Sequence, residues 1–268
     1  MQKKKQNLKI TIITVCYNSE KTINETLKSV ANQNYQNIEH LIIDGKSTDQ
    51  TLSIIKKYSH VSKIISEIDD GIYDAMNKGM QISTGDIIGF LNSDDFYTNQ
   101  NILSTVNDIF VQNPSIDGCY SDLIYSDQND TSKNIRYWKS SNFVPGLFSK
   151  GWCPPHPTFF LRNLVYKKYG KFNLNYRIAS DIELMMRLLE VNKIKTFYKP
   201  EFWVKMSMGG MTNKNLLNIF NQNLEVLRAL KNHKLPYNIL SFFVYKLISR
   251  SLQFAIIHKN IKKFLNKS

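Results

Sequence analysis

The sequence predicts an α/β protein: a mostly parallel central sheet flanked by helices, with a helical, basic C-terminal extension. Three observations predict it. Apolar, β-branched runs alternate with helix-period segments four times in about 110 residues, the signature of a parallel sheet covered on both faces. The segment that follows each run is polar, as the ligand-binding carboxyl edge of such a sheet requires. Basic charge is concentrated past residue 212: from 213 onward ten Lys and Arg stand against Glu225 alone, so of the net +13 the tail carries +9 and the rest 13 − 9 = +4.

Residues 8–16 are apolar and β-branched and predict a buried first strand; Thr11 and Thr14 interrupt the run and no small-residue cleavage site follows, so the run reads as a strand and not as a signal peptide. Residues 19–33 carry Ile23, Leu27, Val30 and Ala31 at helical spacing, capped by Ser19 or Asn18. Residues 38–44 form a second strand, and Thr48 or Asp49 caps a helix bearing Leu52, Ile55 and Tyr58. Residues 61–66 are a third strand, and residues 72–82 a helix with Ala75, Met76 and Gly79 inward. A fourth strand, 86–91, runs into Asn92-Ser93-Asp94-Asp95, and a helix over 101–112 ends at Asn113-Pro114. Strands at 117–125 and 133–139 follow, joined by a polar turn. A Pro-rich loop at 151–157 holds Trp152 and His156; helices at 162–169 and 180–191 and an extended stretch at 195–208 complete the body.

Composition narrows the class. With 42% hydrophobic and 12% aromatic residues the chain is not intrinsically disordered, and Cys16, Cys119 and Cys153 are too few and too scattered for a disulfide scaffold or a four-Cys zinc site. The most apolar stretch, 235–257, has Lys246 and Arg250 in its middle, so no membrane span is expected and the protein is placed in the cytoplasm or on the cytoplasmic face of a membrane. In the tail, Phe242, Phe243, Val244, Leu247, Ile248 and Phe254 recur at helical spacing while Lys246, Arg250 and Gln253 fall on another face. This pattern fits an interfacial helix on an anionic membrane, and equally a helix that packs its stripe on the body and leaves a solvated basic face. Nucleic acid is the weaker partner.

The chemistry-bearing residues cluster at strand ends. Adjacent carboxylates such as Asp94 and Asp95 repel each other and are costly to dehydrate, which an oxygen-ligated divalent cation resolves; either also serves as a turn cap. Asp44 suits a nucleobase or ribose hydrogen bond, or an Asx turn. Asp181 begins a helix, where it is either a dipole-favoured acid or a proton acceptor. His156 stands among prolines in a rigid loop. No Gly-x-Gly-x-x-Gly, P-loop, Gly-x-Ser-x-Gly or Cys-x-x-Cys motif occurs.

In order along the chain, Thr11-Ile12-Ile13-Thr14-Val15-Cys16-Tyr17-Asn18, Ile43-Asp44-Gly45-Lys46-Ser47-Thr48-Asp49, the stretch from Ser66 through Asp69, Asp70 and Tyr73 to Asn77-Lys78-Gly79, and Phe90-Leu91-Asn92-Ser93-Asp94-Asp95 resemble family 2 of the nucleotide-sugar glycosyltransferases, which have the GT-A fold. Ser180-Asp181 falls where that family usually has Glu-Asp. The resemblance covers residues 8 to about 190, and its third motif is similar to enzymes of bacterial capsule, exopolysaccharide and O-antigen synthesis. It implies a GT-A domain over 1–212, with a nucleotide-binding half at about 8–115 and an acceptor half at about 116–212, followed by the basic segment 213–268. It implies transfer of a sugar, with inversion, from a nucleotide-sugar such as a UDP-sugar to a hydroxyl of a glycan or lipid-linked glycan. Thr14, Tyr17, Glu20, Asp44, Asp69, Asn77, Lys78, Asn92 and Ser93 are then donor-binding, Asp94 and Asp95 hold Mn2+ or Mg2+, Asp181 is the base, and Trp152 and His156 lie on the acceptor side. Two positions depart from the pattern: Asn92 where many members have Asp, and Met76 where others have a basic residue facing diphosphate. The rivals are a nucleotidyltransferase, disfavoured because Tyr17-Asn18-Ser19-Glu20 is no phosphate-cradling loop, and a non-catalytic nucleotide- or sugar-binding protein.

Overall fold

β1 (Ile10–Cys16) is the hub of the sheet, flanked on both sides by parallel partners, β2 (Ile38–Asp44) and β4 (Ile87–Phe90). The computed structural model describes residues 7–127, 130–208 and 216–265, and their side chains up to Gln253 with Leu216 excepted. Residues 1–5, Lys214, Lys267 and the side chains of Phe254, Lys259, Lys262 and Lys263 lie outside the described residues, as do 128 and 129 of the predicted polar turn.

β3 (Val61–Ser66) extends the parallel half to the order β3-β2-β1-β4. Helices α1 (Ile23–Ala31), α2 (Thr51–Ile55) and α3 (Ile72–Ile82) make its crossovers, and α4 (Ile102–Gln112) follows it. β1 alternates as a strand between two helix layers must: Ile10 and Ile12 face one core cluster, Ile13 and Val15 another. α3 lies so close that a Cβ on Gly79 would stand 2.5 Å from Ile13. The two buried threonines of β1 are satisfied, Thr11 donating to Glu39 at 2.6 Å and Thr14 lying 3.0 Å from His40 Nε2.

Beyond β4 the parallel pattern gives way. The sheet continues β8-β6-β9-β5, with β7 also on β6: β5 (Asp95–Tyr97), β6 (Gly118–Ser126), β7 (Asn134–Trp138), β8 (Phe160–Arg162) and β9 (Thr196–Ser207). Of these ladders only β6–β9 is parallel; β4–β8, β8–β6, β6–β7 and β9–β5 are antiparallel. The short β6–β7 connection dictates reversal, because a parallel return needs a long crossover. β5 and β8 were not expected, and three residues each carry no readable period. The first helix starts at Ile23 and not at Ser19, since Asn18 is left-handed at φ 46° and the Ser19 carbonyl closes a turn onto Thr22 and Ile23. Neither Asn18 nor Ser19 is its cap. The expected helix at 180–191 is α6 (Ser180–Met186) continued by a π-helical turn, Arg187–Val191; α5 (Asn163–Tyr169) precedes it.

The packing does not divide at residue 213. α7 (Leu216–Asn232) contributes Val226, Ala229 and Leu230 to the cluster that holds Ile13 and Val15, and α8 (Ile239–Leu265) contributes Phe242. The Glu225 carboxylate accepts the backbone N–H groups of Arg177, Ile178 and Ala179 at 2.9–3.0 Å, just ahead of α6. Glu183 of α6 is buried and bonded to Arg187 at 3.0 Å and to His233 at 2.8 Å. Burial pushes the Glu183 carboxyl up, but those two partners together outweigh it and hold it below the usual range.

Glu225→Ala leaves three amide donors without their acceptor and is expected to cost about 2 kcal/mol or more. Urea unfolding followed by circular dichroism measures this; a loss within about 0.5 kcal/mol, ordinary for a surface change, would mean that the segment before α6 holds itself.

Candidate functional site

The order 3-2-1-4 puts a topological switch point between β1 and β4, and a cleft of about 1050 Å³ opens at the carboxyl ends of these strands. Its first wall is a laced set of loops. The Asn18 amide nitrogen donates to Ser47 Oγ at 2.8 Å, and Asn18 Oδ1 accepts from the Thr48 amide at 2.9 Å. Glu20 exchanges similar bonds with Asp49 and Gln50, and Asp49 Oδ1 also accepts the Thr51 amide at the start of α2. Ser19 Oγ and Ser93 Oγ lie 2.9 Å apart, tying the loop after β1 to the loop after β4. Tyr17 is 63% exposed at the rim, free to cover a planar ligand. Asp69 faces the same space while its Oδ1 accepts the Gly71 amide.

Asn92, Ser93 and Asp94 line the floor. Asp95 is fully buried and does not line it: Asn92 Nδ2 donates to its Oδ2 at 3.2 Å, while Asp95 Oδ1 and Asn92 Oδ1 are buried oxygens with no donor opposite. Burial raises the Asp94 carboxyl, and burial plus the Asp94 charge raises Asp95 well above the ordinary range. These are hard oxygen donors of the kind Mg2+ and Mn2+ accept. No group of three His, Cys, Asp or Glu side chains converges among the described residues.

The opposite wall comes from the second half. Asp181 lines the cleft, and the buried hydroxyl of Tyr73 lies 2.9 Å from its Oδ1 and 3.0 Å from the Ile178 carbonyl. Burial and the Asp181 charge hold that phenol well above its usual range, so it stays a donor. His156 is buried and stacked on Phe90 at 5.2 Å; burial lowers its imidazole, with the Asp181 charge opposing. Trp152 also lines the cleft, its edge against Phe148.

Five expected residues do not line the cleft. Thr14 is buried against His40. The Asp44 carboxylate is saturated by the Ser47 amide and hydroxyl and by Ser66 Oγ at 2.6 Å. Asn77 holds the Phe172 backbone through both its amide atoms at 3.0 Å. Lys78 is paired with Glu67 at 3.0 Å and Asp74 at 3.2 Å. Asp95 is the fifth. Conversely, Tyr73, Arg136, Lys246 and Arg250 line the cleft and were not anticipated there. A signal for the last two existed, since they share the face opposite the apolar stripe.

The sequence model of Glycosyl transferase family 2 matches residues 11–181. A PGL/p-HBAD biosynthesis glycosyltransferase of Mycobacterium bovis is 29% identical over 192 residues, 70% of this chain and 72% of its own. An uncharacterized glycosyltransferase of Mycobacterium tuberculosis is 30% identical over 182 residues, 66% of this chain and 68% of its own. Among solved structures, S. aureus TarS superposes with a TM-score of 0.63 at 20% identity, covering 85% of this chain and 67% of that one; TarS is also known in complex with UDP-GlcNAc. The mannosyltransferase PcManGT from Pyrobaculum calidifontis, in complex with GDP-Man and Mn2+, superposes at 0.61 with 14% identity, covering 98% and 89%.

A carboxyl raised on folding stabilises the fold while protonated, below its unfolded pKa, and that contribution is lost as pH rises through the folded value. Asp95 therefore weakens the free protein at neutral pH. Asp95→Asn is expected to raise metal-free stability at pH 7 by about 0.5–2 kcal/mol, with the gain shrinking toward pH 4. Unfolding curves in EDTA across that range check it, and a variant weaker than the parent at pH 7 refutes it.

Proposed function

The chain belongs to glycosyl transferase family 2, and from that footing we propose that it moves a sugar, with inversion, from a UDP-sugar to a hydroxyl of a glycan or lipid-linked glycan in surface polysaccharide synthesis. One observation carries the mechanism: Asp94 of the nucleotide half and Asp181 of the acceptor half line one cleft at the switch point. The acceptor hydroxyl gives its proton to Asp181 as its oxygen bonds to the anomeric carbon. The bond from that carbon to the diphosphate breaks on the opposite side, and the nucleoside diphosphate leaves with the electron pair. Tyr73 keeps Asp181 oriented. Asp94, with Asp95 and Asn92 behind it, would hold a divalent cation, which would supply positive charge against the leaving diphosphate. Tyr17, Glu20, Asp69 and Ser93 are the donor-side contacts in this reading, and Trp152 and His156 position the acceptor. The UDP-GlcNAc in TarS supports uridine, and a thermal-shift series of UDP- against GDP-sugars tests it.

The apolar face of α8 supports a seat on a membrane. Val244, Leu247, Ile248 and Leu252 are 46–69% exposed, whereas Lys246 and Arg250 turn into the cleft. The expected arrangement, with basic side chains meeting headgroups, is thus reversed for these two, and apolar insertion carries the contact. Among the described residues no helix is long and apolar enough to cross a membrane.

Asp181→Asn is expected to cut turnover about 10²- to 10⁴-fold with donor affinity retained; near-parental turnover excludes it as the base. Asp94→Ala, or EDTA on the parent, is expected to weaken donor binding in calorimetry, and full affinity in EDTA removes the cation from the reading. Vesicle binding in flotation assays is expected to persist at high salt and to fall at least about 100-fold in the double variant Leu247→Asp, Ile248→Asp, given about 1.5–3 kcal/mol per buried side chain. Donor hydrolysis should be unchanged in that variant. Binding abolished by salt alone argues for a purely electrostatic seat.

A further inference from the structure

Lys246 and Arg250 are unusual company for each other. Both lie on the inner face of α8, one helical turn apart, and both line the cleft. The Lys246 stem packs against Gly151, and its ammonium donates to Asn223 Oδ1 at 2.5 Å. Burial and then the charge of Arg250 push that ammonium down to about 8. Among the described residues no carboxylate forms an ion pair with either side chain. Across from them Arg136 of β7 lines the same space, its guanidinium 3.8 Å from the centre of the Tyr125 ring and within the electrostatic reach of Arg250. Lys246 and Arg250, two cations one turn apart in a partly desolvated cleft, repel each other, and an anion is what relieves them. The cluster lies beyond the family match for the two α8 residues. It also answers the departure at Met76, since Lys78 is held by Glu67 and Asp74 and is not available to a phosphate.

We infer that Lys246 and Arg250, delivered by the C-terminal helix and joined by Arg136, form an anion subsite in the cleft for a phosphate or diphosphate group. That group belongs either to the leaving nucleoside diphosphate or to a phosphorylated acceptor. The inference deepens the transferase reading and rests on it for the identity of the ligand, but the subsite itself is testable with an anion that carries no nucleotide. Tetrahedral oxyanions suit the pair: Arg offers a planar fork of donors and Lys a compact point charge beside it.

The experiment is calorimetry on the full chain with inorganic pyrophosphate and, separately, with UDP, both in EDTA so that Asp94 contributes no cation-mediated binding. The parent is expected to bind pyrophosphate, and Lys246→Met and Arg250→Gln each to weaken it at least tenfold, while Arg250→Lys keeps most of the affinity. Melting curves establish that the variants are folded, and the charge-conserving Arg250→Lys separates loss of charge from loss of packing. If the variants weaken UDP in parallel and UDP competes with pyrophosphate, the subsite takes the leaving diphosphate. If pyrophosphate binding falls and UDP binding does not, it takes a phosphate of the acceptor. A folded parent that does not bind pyrophosphate, or variants with unchanged affinity, overturns the inference. Retained pyrophosphate binding with no UDP binding in either EDTA or Mn2+ leaves the subsite standing and counts against the transferase reading.

Discussion

The placement of β1 between two parallel partners is the constraint on which the molecule turns. Parallel neighbours need crossovers and crossovers are right-handed; the chain leaves β1 toward β2 on one side and returns from β3 to place β4 on the other, so the loops at the carboxyl ends of β1 and β4 part. That parting is the cleft. The central strand is buried on both faces, so its polar members must be satisfied within the sheet, which Glu39 and His40 of β2 do. Burial lowers the His40 imidazole to about 3, so this contact is between neutral groups and adds no charge to the sheet interior.

The second half of the chain is fastened to the first at the acid it contributes. Tyr73 of α3 reaches Asp181 across 108 residues of sequence, and Asn77, one helical turn further on, clasps the Phe172 backbone. From the other side Glu225 gathers three backbone amides immediately before α6. Asp181 is thus located by groups from the first half of the chain and from the C-terminal segment together. A group held from two directions loses little freedom when a ligand arrives beside it.

Much of this was legible in the residues. The four alternations of strand and helix gave the parallel half with the hub strand ending at Cys16, and the polar strand ends marked the cleft. What stayed hidden had two physical sources. β5 and β8 are too short to show a period, so the antiparallel half was underread. Motif residues reveal a site's neighbourhood but not which of them face it: Asp44 and Lys78 sit within the right motifs, yet Ser66 and Glu67, brought close only by the fold, consume them. In the tail both readings turned the apolar residues to a membrane or to the body and left the basic ones outward. A helical period identifies faces without saying which one meets the body, and here the face of Lys246 and Arg250 does, with Phe242, one turn before Lys246, buried on it.

Phe242 has a mechanical consequence. Among the described side chains of α8 it is the one wholly buried, whereas Lys246, Ser249, Arg250 and Gln253 reach the cleft from further along the same rigid element. At about 1.5 Å per residue, Gln253 lies about 16 Å from that anchor, so a tilt of about 10° about Phe242 carries it roughly 3 Å. The helix is a lever with its fulcrum in the core and its long arm across the mouth of the cleft. A change of about the width of a water molecule at the mouth thus follows from a small change in the attitude of the C-terminal helix, and the openness of the cleft is set by how that helix lies.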